Sequence, residues 1–202
     1  MSTIILGDCL DYLRSLPDNS VDLLLTDPPY GIGIAKTGHV GRGTLFTKKA
    51  WDADRPTQEY FLEMLRVSRN QIIWGGNYFA DYLPPSRCWL VWYKRDGLPV
   101  LSFADCELAW TSFDRTAMVF NCRWYGFVKD SREKKIHPAQ KALAVMEWCI
   151  EEFSHEGHTI LDPFLGSGST GVAAKRLRRN FIGIERDRDY IALAHERLRS
   201  GK

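Results

Sequence analysis

The stretch Thr159-Ile160-Leu161-Asp162-Pro163-Phe164-Leu165-Gly166-Ser167-Gly168-Ser169-Thr170-Gly171 decides the fold class. Thr159 to Leu161 is a short apolar run of strand length, and Ser169 to Arg178 reads as a helix. Gly166, Gly168 and Gly171 therefore form a G-x-G-x-x-G pattern between a strand and a helix. Glycines at such a turn let the backbone approach a ligand closely, and Glu185, after the predicted strand Phe181 to Ile184, is placed to accept ribose hydroxyls. Glycine turns of this kind also arise from packing, so the pattern by itself names a strand-loop-helix unit before it names a ligand.

Asp162 stands at the front of this loop, where a dinucleotide would bring its pyrophosphate. A nucleoside carrying a cationic, amino-acid-like arm suits the loop better, and S-adenosylmethionine is such a ligand. The loop residues Asp162, Phe164, Gly166, Ser167, Gly168 and Ser169, with Glu185, are the candidate cofactor contacts.

Working outward, short apolar runs alternate with amphipathic segments, which predicts an α/β fold of mainly parallel sheet with helices on both faces. Ile4 to Leu6 and Val21 to Thr26 read as strands, and Cys9 to Leu16 as a helix. Pro56 to Ser68 reads as a helix and Gln71 to Trp74 as a strand. Asn77 to Leu83 reads as a short helix stopped by Pro84-Pro85. Strands are expected at Trp89 to Tyr93, Cys106 to Thr111 and Ala117 to Asn121, and helices at Lys141 to Phe153 and Asp189 to Arg199. A closing helix after Glu185 would lead into the strand at Ile4, making the two ends of the chain neighbours.

Val21 to Thr26 runs into Asp27-Pro28-Pro29-Tyr30. Two prolines can neither donate to a strand ladder nor permit helix before them, so Asp27 sits at a strand's C-terminal end, the ligand-binding edge of open α/β sheets. The tetrapeptide joins a hydrogen-bond acceptor, a rigid turn and an aromatic ring. An exocyclic base amine is a poor nucleophile because its lone pair is delocalised into the ring. The Asp27 carboxylate and the Pro28 carbonyl can each accept one amine hydrogen and turn that lone pair toward a methyl donor, while Tyr30 can stack on an extruded base. Asp27, Pro28, Pro29 and Tyr30 are the candidate catalytic residues; the bland alternative is a capped Pro-Pro turn with a surface tyrosine.

Composition bounds the rest. The 202 residues suit one domain over 1–202. A formal charge of +2 and a pI near 8.3 do not announce a nucleic-acid partner. Positive charge is concentrated at Lys48-Lys49, from Lys129 to Lys135, and at Lys175, Arg176, Arg178 and Arg179, where solvated helix faces are the first reading. Five scattered cysteines without a Cys-x-x-Cys pair predict free thiols and no metal site. The N-terminal apolar run is too short for a signal peptide and no stretch approaches membrane-spanning length, so a cytoplasmic, membrane-free protein is expected.

These motifs resemble those of the DNA amino-methyltransferases that modify adenine N6 or cytosine N4. Asp27 to Tyr30 resembles the family's catalytic motif and Asp162 to Gly168 its cofactor loop; their order along the chain is that of the circularly permuted β class. The resemblance implies a Rossmann-like methyltransferase fold, S-adenosylmethionine as donor, base flipping and double-stranded DNA as substrate, with a homodimer open as an assembly and a restriction partner in some systems. It also implies that Gly7-Asp8-Cys9 contacts the cofactor adenine, with Asp8 as the acceptor. His137-Pro138-Ala139-Gln140-Lys141 resembles the family's His-Pro-Thr-Gln-Lys-Pro segment near the methionine end, with Ala139 and Ala142 in place of Thr and Pro. Asp at the first catalytic position leans toward adenine rather than cytosine N4. Residues 31–50 and 123–136 are the expected target and DNA loops. A non-catalytic DNA-binding subunit of the same fold is the rival from another class.

Overall fold

The computed structural model describes residues 1–33, 54–95, 97, 104–125, 128–130, 133 and 140–201. Most of the expected target loop 31–50, the Lys48-Lys49 pair, His137 to Ala139 and much of 123–136 lie outside them.

Among the described residues, ten strands and five α-helices follow the chain as β1 (Ser2–Leu6), α1 (Cys9–Ser15), β2 (Val21–Thr26), α2 (Gln58–Val67), β3 (Ser68–Trp74), β4 (Trp89–Tyr93), β5 (Cys106–Thr111), β6 (Met118–Asn121), β7 (Trp124–Tyr125), β8 (Val128–Lys129), α3 (Leu143–Phe153), β9 (Thr159–Asp162), α4 (Ser169–Arg176), β10 (Asn180–Glu185) and α5 (Arg188–Ser200). Eight strands form one sheet in the order β1-β10-β9-β2-β3-β5-β4-β6. All neighbours in it are parallel except β5, which runs against both β3 and β4.

Alternation along the central strands sorts the core into two layers. Leu23 and Leu25 of β2, Ile72 and Trp74 of β3 and Ile160 of β9 pack with residues of α3, α4 and α5. Leu24, Ile73 and Leu161 face the other way, onto Cys9 and Leu13 of α1 and Phe61, Met64 and Val67 of α2. The sheet is thus covered on both faces, which is why β2 reads as a continuous apolar run rather than an alternating one. Leu23, Leu24 and Leu25 are wholly inaccessible, each burial contributing roughly 1.5–3 kcal/mol.

The expected α/β architecture stands, with local corrections. Asn77 to Leu83 is not an α-helix but a single 3-10 turn, Gly76–Tyr78, followed by turns; the Tyr78 carbonyl accepts from the Arg55 guanidinium at 2.9 Å and the Tyr82 amide donates to the Phe79 carbonyl instead, so a helical ladder is not propagated. α3 begins at Leu143 with the extended Ala142 as its N-cap, so Lys141 lies ahead of the helix. A two-residue antiparallel hairpin, β7 with β8, lies in the basic segment, closed by Arg123 Nε on Asp130 Oδ1 at 2.6 Å.

The ends of the chain do meet. β10 pairs in parallel with β1, and the Met1 ammonium donates to Asn180 Oδ1 at 2.8 Å. The basic group at 175–179 lies at this opposite edge of the sheet and is internally engaged. Lys175 and Arg176 hold the carbonyls of Leu198 and Gly201, Arg178 pairs with Glu156, and Arg179 donates to Ser154 O at 2.7 Å at the end of α3. Lys175, Arg176 and Arg179 thus secure helix ends rather than standing on solvated faces.

Candidate active site

β2 and β9 are neighbours, but the chain leaves β2 toward β3 on one side and leaves β9 toward β10 on the other. That divergence opens a crevice at the strands' carboxyl ends, the place where open α/β sheets bind ligands. Asp27 follows β2 and Asp162 closes β9. Thr26 Oγ1 donates to Asp162 Oδ1 at 2.7 Å, tying the two strand ends together. A cavity of about 340 Å³ opens at this point, with both Asp27 and Asp162 in its wall.

Asp162 is 3% exposed. It also takes the Thr170 hydroxyl on Oδ2 at 2.6 Å and the Phe164 amide on Oδ1 at 3.1 Å. These three donors are neutral. Burial pushes the carboxyl up to about 6 despite the hydrogen bonds, with the charge of Asp27 adding to the rise. A buried carboxylate served by neutral dipoles in a cavity wall is suited to receive a cation.

The glycine loop forms the adjoining wall through Gly166, Ser167 and Ser169. Gly168 does not line the cavity. It starts α4 with φ +83°, and a Cβ there would come within 3.1 Å of the Ala194 Cβ on α5. Glu185 accepts the Gly166 amide at 2.9 Å and the Asp187 amide at 2.8 Å. Burial raises its pKa against these two bonds. A carboxylate has about four acceptor positions, so capacity for ribose hydroxyls remains. From the far side, Asp8 caps α1 through Leu10 N at 2.9 Å and takes the Tyr60 hydroxyl at 3.0 Å. Asp8, Cys9 and Phe164 all line the cavity. The Cys9 thiol is pushed up to about 12 by burial and then by Asp8, so it is a packing surface rather than a nucleophile.

Beside this cavity, Asp27 heads a chain of charges. Lys141 Nζ lies 2.6 Å from Asp27 Oδ2 and 2.8 Å from Glu107 Oε2. Lys94 Nζ lies 2.7 Å from Glu107 Oε1. Burial raises the Asp27 pKa, opposed by Lys141. Burial would lower that of Lys141, but Asp27 and Glu107 raise it further than burial takes it down. Glu107 falls to about 2 because Lys141 and Lys94 outweigh its burial.

The Tyr30 hydroxyl donates to Asp27 Oδ1, and Lys141 Nζ donates to that hydroxyl at 3.1 Å. The Tyr30 ring stacks on Tyr78, centroids 4.7 Å apart and planes 16° off parallel. Gly75 permits this approach. It has φ +69°, and a Cβ on it would sit 2.1 Å from Tyr30 Cε1.

Of the residues singled out in the sequence, the structure gathers Asp8, Cys9, Asp27 and Pro29 with Lys141 and the loop residues around one cavity. Pro28, Tyr30 and Gly168 are not part of its lining. Glu107 and Arg197 were not singled out. Glu107 carried a readable signal, as a lone charge in the apolar strand Cys106 to Thr111. Arg197 did too, since it occupies the buried stripe of Tyr190, Ala194 and Leu198. It is 6% exposed. It donates to Ser167 O at 3.0 Å, Ser169 Oγ at 3.0 Å and Glu133 Oε1 at 2.8 Å.

Comparison with known proteins agrees with this geometry. The N6/N4 methyltransferase family model, described as DNA methylase, matches residues 69–196. The chain is 28% identical over 249 aligned positions to the type II methyltransferase M.HinfI of Haemophilus influenzae, covering 100% of this chain and 69% of that protein. The M1.HpyAVI–SAM complex superposes with a TM-score of 0.64 at 25% identity, covering 98% of this chain and 100% of that one. The cytosine-N4-specific PvuII DNA methyltransferase shares the fold at 16% identity, with a TM-score of 0.65 over 98% of this chain and 86% of its own. With Asp162 and the glycine loop inside a family match that spans more than half of its length, the chain belongs to the N6/N4 family of DNA methylases.

Proposed function

We propose that this chain is a DNA methyltransferase that uses S-adenosylmethionine to methylate the exocyclic N6 amine of adenine flipped out of double-stranded DNA. The observation that carries this reading is the pairing of Asp27 and Asp162 at adjacent strand ends on one cavity. Asp162 receives the cationic arm of the cofactor, Glu185 the ribose, and Asp8, Cys9 and Phe164 surround the adenine. The loop from Gly166 to Ser169 follows the cofactor's contour. When bound, S-adenosylmethionine supplies an electrophilic methyl group on a sulfonium.

The chain's own residues supply position and charge. The Asp27 carboxylate and the Pro28 carbonyl accept the two amine hydrogens, which localises the nitrogen lone pair. As the nitrogen forms its new bond to carbon it becomes acidic, and Asp27, made more basic by burial, takes the departing proton. Pro29 fixes the turn that presents Asp27. Tyr30 orients that carboxylate through its hydroxyl, and a base stacked on Tyr30 uses the ring face opposite Tyr78. Sequence choice is assigned to residues 31–50 and 123–136 within a single domain.

Adenine is favoured over cytosine N4 by Asp27 at the first motif position. Mass spectrometry of nucleosides from unmethylated DNA treated with enzyme and cofactor tests the choice: N6-methyladenine is expected, and N4-methylcytosine alone would overturn it.

A further inference from the structure

Glu107 projects from β5, two strands away from β2, into the line of charges that ends on Asp27. Asp27, Lys141, Glu107 and Lys94 alternate in sign, and their side chains are 18, 9, 26 and 13% exposed. Asp27 and Lys141 border the cavity, whereas Glu107 and Lys94 do not. Glu107 therefore acts on the site through Lys141.

An ammonium has three donors. If Lys141 gave its whole charge to Asp27, it would neutralise the acceptor that the target amine needs. A second carboxylate at 2.8 Å takes part of that attraction and restrains the ammonium from a different strand. Lys94, 2.7 Å from the other oxygen of Glu107 and 5.5 Å from the centre of the Trp92 ring, holds Glu107 in turn.

We propose that Glu107 is a positioning residue for methyl transfer, sharing the Lys141 ammonium so that Asp27 keeps the electron density with which it accepts the hydrogens of the target amine. This rests on the role of Asp27 proposed above. A purely structural Glu107 would leave the pH dependence of turnover in place; a charge-sharing one would not. Asp27 is faced by Tyr30 from its own turn, Lys141 from the approach to α3, Glu107 from β5 and Asp162 from β9. Lys141 is faced by Asp27, Glu107 and the rings of Tyr30 and Trp74. Burial acts most strongly on both, raising Asp27 and lowering Lys141, and the Glu107 charge raises both. Turnover needs Asp27 ionised, so removing that charge moves the acid limb of the kcat profile to lower pH.

The test compares full-length wild type, Glu107→Gln and Asp27→Asn, with kcat followed from about pH 5 to about pH 10 and S-adenosylmethionine affinity measured by calorimetry. Glu107→Gln is expected to lose roughly 10- to 100-fold in kcat, to keep cofactor affinity within about twofold, and to shift the acid limb down by about half a unit or more. An unshifted acid limb in a folded Glu107→Gln protein, or cofactor affinity that falls as far as kcat, overturns the proposal. If Glu107→Gln lacks a cooperative melt, Lys94→Met replaces it: loss of that cation leaves Lys141 alone between two carboxylates and must move the acid limb up, and an unmoved limb overturns the proposal. An inactive Asp27→Asn beside an unshifted Glu107→Gln removes the Glu107 role alone, whereas an active Asp27→Asn removes the amine contact and this inference with it.

Discussion

The Lys141 ammonium lies 2.6 Å from Oδ2 of Asp27, joining residues 114 positions apart in the chain. The contact sets both the charge state of the proposed acceptor and part of the stability of the sheet's carboxyl edge. Lys141→Met would leave Asp27 and Glu107 as buried carboxylates deprived of their shared cation, at a cost of about 3–5 kcal/mol near neutral pH. Because the native Lys141 pKa is raised, its stabilisation is present below the unfolded lysine pKa and is lost as pH rises through the folded one. The deficit of the variant should shrink in acid, where Asp27 takes up a proton. Thermal melts of both proteins across pH would show this, and a deficit that is constant down to the carboxylate range would count against the ion pair.

Asp162 makes cofactor binding pH-dependent. Its carboxyl is raised to about 6, so its own contribution favours the folded state below the unfolded carboxylate pKa and is lost as pH rises through about 6. A bound cation reverses that preference by stabilising the ionised form. S-adenosylmethionine should therefore bind more tightly above pH 6 than below it, with proton release across the transition. Asp162→Asn should lose about 1.5–3 kcal/mol of binding together with the pH dependence. Calorimetry in buffers of different ionisation enthalpy measures both; wild-type affinity in Asp162→Asn would end the assignment.

Tyr30 has two separable jobs, which two substitutions distinguish. Tyr30→Phe removes the donor to Asp27 while keeping the stack on Tyr78, and should leave a measurable fraction of turnover. Tyr30→Ala removes both and should cost more. Gly75→Ala should resemble Tyr30→Ala without touching the tyrosine, because its methyl would occupy space 2.1 Å from the ring and the backbone there has φ +69°. Single-turnover methylation rates, with cofactor affinity as control, decide this. Equal damage from Phe and Ala would make the hydroxyl the whole of the role.

What the sequence disclosed tracks with how local each signal is. β2, β4 and β5 match their expected spans residue for residue, because apolar runs bounded by Pro, Gly and charge need no tertiary context. Asp27 and Asp162 were legible as strand-end carboxylates for the same reason. Their relation was not: the hydrogen bond from Thr26 to Asp162 spans 136 residues and depends on β2 lying beside β9. Glu107 escaped notice because its partners come from the segment before α3 and the end of β4, which meet it only in the folded sheet. The helix expected over Asn77 to Leu83 failed because the Tyr78 carbonyl goes to Arg55, a partner 23 residues away that the local sequence does not show.

Arg197 should prove to be the brace of the cofactor loop. One nitrogen of its guanidinium holds Ser167 and Ser169, and the other pairs with Glu133, whose second oxygen accepts the Leu143 amide at the start of α3 at 2.9 Å. Ser169 in turn donates to the Lys141 carbonyl at 3.0 Å. A single buried side chain on α5 thus secures the glycine loop and the approach to Lys141 together. Its pKa is lowered by burial and restored in part by Glu133, so the pair is held by geometry as much as by charge. Arg197→Met keeps the apolar stem but leaves Glu133 and both serines short of a donor. It should lose about 3–5 kcal/mol of stability and a larger share of cofactor affinity than Arg176→Met, whose partners are Glu147 and the Gly201 carbonyl at the far edge of the sheet. Denaturant melts and cofactor titrations of the two variants test this, and equal affinities would show that Arg197 supports the helix without shaping the loop.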